Sequence, residues 1–111
     1  MEISTKTLRR CDVVTVKGRI DSETAPDLGQ ALGAIKDAGH YNIVLNLKEV
    51  NFISSAGLSK LIETQNACKR LNRGELVLVE VPPRIKEVLD LAGLTPLFKQ
   101  FDNETEAVGS F

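Results

Sequence analysis

The chain has 111 residues, the size of one domain, and its 42% hydrophobic content suffices for a single core. Fourteen basic and fifteen acidic side chains leave a formal charge of −1, with no basic stripe of the kind that neutralises nucleic-acid phosphates. Aromatic residues are few, Trp is absent and no apolar run is long enough for a membrane span, so a base-stacking platform and a transmembrane segment are both disfavoured.

Met1 to Thr7 reads as a first strand, and residues 1–20 carry charges throughout and alternate like a strand, which does not fit a signal peptide. Asp12 to Ile20, with Val13, Val14 and Val16, predicts a second strand. The charged turn Leu8-Arg9-Arg10 between them predicts a hairpin. Asp21-Ser22-Glu23-Thr24 is a polar connection. Thr24 with Asp27 three residues on is a capping-box pattern, and Pro26 suits a first helical turn. Ala25, Leu28, Leu32 and Ile35 recur at helical spacing, so a first helix is expected to about Lys36, ended by Ala38-Gly39. His40, the only histidine, falls in the following turn and reads as solvated, because no Cys/His/Asp cluster offers metal spacing.

Ile43 to Leu47 is short, apolar and β-branched, and predicts a central strand. A second helix is expected from about Ala56 to Leu71, with Leu58, Leu61, Ile62 and Cys68 inward. Glu75 to Val81 predicts another buried strand. Pro82-Pro83 opens a third helix whose shared face is Ile85, Val88, Leu89 and Ala92, with Gly93 as its C-terminal cap. Leu97 to Phe101 reads as a short strand or extended return. Asn103-Glu104-Thr105 is a weak helix start in a tail expected to fray. Cys11 and Cys68 lack CxxC spacing and read as buried free thiols, which fits a cytoplasmic setting.

The order ββαβαβα predicts a single α/β domain over residues 1–111. Its mixed sheet has four or five strands, an N-terminal hairpin and helices mainly on one face. Two connections matter, Gly18 to Thr24 and Lys48 to Gly57. Both follow strands and precede helices, so both should lie at one sheet edge, where ligands and partners gather. For Ser54-Ser55-Ala56-Gly57, three roles compete. One serine can cap the second helix, at about 1 kcal/mol. A serine can be a nucleophile, but the elbow pattern Gly-x-Ser-x-Gly has Ile53 at its first position, and His40 belongs to the other end of the sheet. A serine can also accept a phosphate, which the helix N-terminus would stabilise.

Phe52-Ile53-Ser54-Ser55-Ala56-Gly57-Leu58, after Ile43 to Leu47, resembles the signature of the STAS family, specifically of bacterial anti-sigma-factor antagonists. Gly18-Arg19-Ile20-Asp21 resembles the family's other characteristic segment, and nearly the whole chain follows the same element order, so a STAS fold is implied. The family pattern is Asp-Ser-Ser-Gly-Leu or Asp-Ser-Thr-Gly-Leu, with the first hydroxyl residue phosphorylated. The resemblance therefore implies Ser55 as phosphoacceptor, with Ala56 replacing the second hydroxyl and Ser54 standing where many members have aspartate. Asp21 matches the aspartate used in kinase contact.

Partner switching is what this resemblance implies. The unmodified chain would bind an anti-sigma factor that is a serine kinase and so free a sigma factor. Phosphorylation at Ser55 would break the complex, and a serine phosphatase would restore it. The implied docking face is Asp21, Ser22, Ser54, Ser55, Ala56, Gly57, Leu58 and Ser59, with Leu58 and Leu61 or Ser59 in packing contact. No enzymatic activity, cofactor or metal of the chain's own is implied, and a monomer or weak dimer is expected. The competing family role is a STAS subunit of a lipid or anion transporter complex, or a stress-signalling scaffold without sigma-factor control.

Overall fold

The computed structural model describes residues 1–111. Strand β1 (Glu2–Thr7) turns back onto β2 (Asp12–Ile20) as the expected antiparallel hairpin. Helix α1 (Ala25–Asp37) crosses to β3 (Asn42–Ile53), and α2 (Ser55–Lys69) crosses to β4 (Glu75–Val79). After α3 (Pro83–Leu91) come the two-residue β5 (Gln100–Phe101) and α4 (Glu104–Gly109). The sheet runs β1-β2-β3-β4-β5, and every pair after the hairpin is parallel.

Alternation along the strands sorts side chains to two faces. On one, Val14, Val16, Ile20, Leu45, Ile53 and Leu78 meet the inner sides of α1, α2 and α3 in the main core. On the other, Val13, Val44, Val77 and Val79 are covered by Ala107 of α4. Helices therefore lie mainly on one face, as expected. The tail does not fray. The Asn103 side chain accepts the Glu106 N–H at 2.9 Å, capping a short helix whose Ala107 is fully buried.

Several boundaries differ from the sequence expectation. The central strand continues to Ile53, so Lys48 to Phe52 are strand and not loop. Register shifts between Thr15 and Lys17, and between Gly18 and Arg19, break the alternation there. Helix α2 starts one residue earlier than expected and ends at Lys69, followed by a 3-10 turn over Arg70–Asn72. Leu97 to Phe101 is the end of a 3-10 turn (Thr95–Leu97) leading into β5. Ile85 and Leu89 are buried on α3 as expected, but Ala92 is its exposed C-cap, and Gly93, with φ 72°, completes the exit.

A polar anchor also sits within the apolar face of α2. Gln65 is fully buried; its amide donates to the carbonyls of Leu76 and Leu97, both at 2.9 Å, and its Oε1 accepts the Leu76 N–H at 2.8 Å. It fixes α2 against β4 and the turn after α3 with its polar atoms satisfied. Cys11 and Cys68 are buried free thiols, and burial pushes the Cys68 pKa up to about 11.

Candidate functional site

The carboxyl ends of β2 and β3 are adjacent, with Ile20 opposite Ile53. Gly18, at φ 101°, adopts a backbone shape that other residues resist, next to a register shift. The strand then delivers Ile20 to the core and Asp21 to the edge. A backbone bond from the Ser54 N–H to the Ile20 carbonyl, 2.8 Å, ties the two junctions together. Gly57 completes the join, since a Cβ there would stand 2.6 Å from Ile20 Cγ2 and 2.9 Å from Ile53 Cγ1.

After β2, Asp21 organises its own loop. Its Oδ1 accepts the N–H groups of Glu23 and Thr24, at 3.0 and 3.1 Å. The Thr24 hydroxyl accepts the Asp21 N–H at 2.9 Å and lies 3.0 Å from the Arg19 carbonyl and 3.1 Å from Asp21 Oδ1. Thr24 therefore does not make the expected capping box; its side chain faces back into the loop, and the helix takes no side-chain cap. The Thr24 N–H bond, above all, holds the Asp21 carboxyl below the usual aspartate value; the Thr24 hydroxyl, the Glu23 N–H and nearby Arg19 add to it against the opposing effect of burial. Asp21 stays ionised at neutral pH.

After β3, Ser54 is the N-cap of α2. Its Oγ accepts the Gly57 N–H at 3.2 Å. Ser55 is the first helical residue; it is exposed, and its hydroxyl bonds to no protein group. The cap and the free hydroxyl thus fall on adjacent serines. Aspartate is as good an N-cap as serine, which explains how Ser54 can occupy a position where aspartate is common.

The other expected docking residues divide between surface and core. Ser22 and Ser59 are exposed beside Asp21 and Ser55, and Ala56 is half-buried. Gly57 is buried, and Leu58 belongs to the main core with 9% of its surface exposed. Leu61 is fully buried and cannot touch a partner. These three pack beneath the exposed serines, because α2 lies on the sheet with this side inward. Two residues not singled out from the sequence join the same end. The Arg19 guanidinium lies 4.3 Å from the centre of the Phe52 ring and 4.0 Å from Asp21, and Phe52 is 37% exposed. Their signal was long-range, since they are opposed only in the β2–β3 register.

His40 is at the other end of β3, on the order of 30 Å from Ser55 by strand length. It is not simply solvated, as the sequence suggested. Its Nδ1 lies 3.0 Å from Oδ1 of the buried Asp12. No histidine is therefore available to activate Ser55 as a nucleophile. No group of three or more His, Cys, Asp or Glu side chains is placed to hold a metal ion, and no helix is long and apolar enough to cross a membrane.

A mixed sheet with an antiparallel first strand, a self-closed aspartate turn and a capped Ser-Ser helix start defines the class. The STAS domain profile matches residues 2–107, and the chain belongs to the STAS domain family. Among its relatives, the anti-sigma-B factor antagonist of Staphylococcus aureus is 31% identical over 97 residues, covering 87% of this chain and 89% of that protein. BtrV of Bordetella bronchiseptica, provisionally named an anti-sigma factor antagonist, is 30% identical over 99 residues, covering 89% and 84%. An anti-sigma factor antagonist from Mycobacterium paratuberculosis superposes with a TM-score of 0.86 at 28% identity, over 98% of this chain and 92% of that one. The fold is shared as well with unphosphorylated SpoIIAA, at a TM-score of 0.82 and 18% identity over 98% and 95% of the two chains.

Proposed function

We propose that this protein is an anti-sigma factor antagonist that docks on an anti-sigma serine kinase and is released by phosphorylation of Ser55. The observation that carries this reading is the split between the two serines. Ser54 gives its hydroxyl to the helix, while the Ser55 hydroxyl is exposed and uncommitted at the positive end of α2. A kinase would join the γ-phosphorus of ATP to Ser55 Oγ, with ADP leaving and the hydroxyl proton passing to a base on the kinase. The chain is then a substrate, not an enzyme, and needs no cofactor of its own.

A phosphoserine carries about −1.5 to −2 charge at neutral pH. The first-turn N–H groups of Ser55 and Ala56 have no intrahelical partners, so they and the helix dipole favour that charge. The fold accommodates the group, and the cost falls on docking. Before modification, Asp21 is a fixed carboxylate beside small hydroxyls and Ala56. Afterwards the centre of that face holds a dianion that a docked partner must desolvate and fit. A serine phosphatase would reverse the change by hydrolysing the O–P bond.

The test is incubation with anti-sigma serine kinases and ATP, followed by mass spectrometry of the Phe52–Lys60 peptide. Phosphate on Ser55 and loss of the kinase complex are expected. Phosphate on Ser54, or binding indifferent to phosphate on Ser55, would overturn the reading. The second of those results is the one a transporter subunit or scaffold would give.

A further inference from the structure

The end of the sheet opposite Ser55 holds a depression of about 220 Å³. Arg9 and Arg10 enter it from the hairpin turn, His40 and Tyr41 from the α1–β3 turn, and Arg73 from the turn before β4. Three of the six arginines in the chain meet there, and Arg9 and Arg73 form no ion pair. Arg10 is already engaged, donating to the main-chain oxygen of Phe111 at 3.3 Å. Arg73 donates to the Tyr41 hydroxyl at 3.0 Å, with its guanidinium 5.0 Å from that ring's centre. A guanidinium has five N–H donors, so most of the donors remain free.

The one carboxylate lining the depression does not neutralise them. Asp12 is buried and already accepts the Thr7 hydroxyl at 3.2 Å and faces His40 Nδ1 at 3.0 Å. Because a carboxylate only accepts, Nδ1 carries the proton and Nε2 is left uncommitted. Solvated surface arginines are ordinary, but here three converge on a concave site, and Tyr41 holds one of them in place. The chain as a whole carries −1, so the local excess of positive charge is not a general property of its surface.

We propose that this pocket binds a small phosphorylated ligand, its phosphate dianion held by the guanidinium forks of Arg9 and Arg73. Planar forks match phosphate oxygens two at a time. Size argues for a small ligand, since drug-sized molecules need pockets of about 300–1,000 Å³. The inference is independent of Ser55, which lies at the far end of β3.

Backbone-amide NMR of the full chain, titrated with inorganic phosphate and separately with glucose 6-phosphate, tests it. Saturable shifts are expected at His40, Tyr41 and Arg73, with Ser54 to Leu58 unmoved. Arg73→Gln should weaken binding about tenfold or more, and Arg73→Lys by less, because the charge stays and the fork is lost. All three arginines are exposed, so these variants should fold, which thermal melts verify. Tighter binding of the sugar phosphate would assign the site to a phosphate ester, and equal binding to free phosphate; either supports the pocket. Three results would overturn it: equal shifts with chloride at matched ionic strength, unchanged affinity in an Arg9→Gln, Arg73→Gln double variant, or a response to an oligoglutamate peptide alone.

Discussion

The junctions after β2 and β3 occupy the same edge of the sheet and are joined by a backbone bond, yet their polar side chains are used in opposite ways. After β2, Asp21 and Thr24 bond to each other and to their own loop. After β3, Ser54 caps the helix and Ser55 bonds to nothing. The first junction is a finished turn that presents a fixed charge. The second is a finished turn with one hydroxyl to spare. Sequence proximity to a helix start does not tell which hydroxyls are committed to the fold; the bonds each one makes do.

The most disruptive test of that comparison is Gly57→Ala, because Gly57 lets the two junctions touch. The new methyl would overlap Ile20 and Ile53, whose branched side chains have little freedom to yield. Overpacking of this kind costs about 1–3 kcal/mol. Chemical denaturation should show that loss, and an unchanged midpoint would mean the junctions are not locked together. Next comes Ser54→Ala, expected to cost about 1 kcal/mol through the lost cap, with Ser54→Asp restoring most of it. Equal losses in both variants would deny Ser54 its capping role.

A smaller effect is expected from acid at the first junction. The Asp21 carboxyl titrates below its ordinary value of 3.8 because the folded loop donates to the ionised form. A depressed folded-state pKa gives stability that is present above the unfolded value and lost as pH falls through the folded one. The Glu23 and Thr24 amides should therefore shift together, with a midpoint below pH 3.8. Asp21→Asn should remove that step while keeping an acceptor oxygen. A midpoint at or above 3.8 would show that the loop bonds do not hold in solution.

Much of this geometry was legible from residue pattern alone. The hairpin, α1, β4 and α3 announce themselves because each has one dry and one wet side or a short buried run. Resemblance to the STAS pattern then singled out Ser55 and Asp21. What escaped is what depends on partners distant in the chain. Lys48, Glu49 and Asn51 look like loop because β3 runs on past Asn46, where its pairing with β4 ends, and the β2 register skips Lys48 and Asn51 at its two shifts, leaving all three exposed with only Glu49 paired. Gln65 is a polar residue inside an apolar stripe, explained only by backbone groups of Leu76 and Leu97. His40 and Asp12 are 28 positions apart. Leu58 and Leu61, by contrast, were legible as the inner face of α2 from their helical spacing, and both lie in the main core.

The smallest effect on the fold should come from the residue with the largest effect on docking. Ser55 makes no bond that a substitution can break, so Ser55→Ala should hold stability within about 0.5 kcal/mol of the unmodified chain. Ser55→Asp adds a negative charge in the first turn of α2, where the dipole favours it by about 0.3–1 kcal/mol, so melting should stay level or rise slightly. In a kinase-binding assay the two variants should part. Alanine should bind like serine and take up no phosphate, whereas aspartate should bind weakly because the charge is present from the start. A fall in melting temperature that tracks the fall in affinity would make Ser55 a structural residue, and the contrast between the two junctions would disappear. An unchanged melt with lost docking is the signature of a switch carried by charge alone.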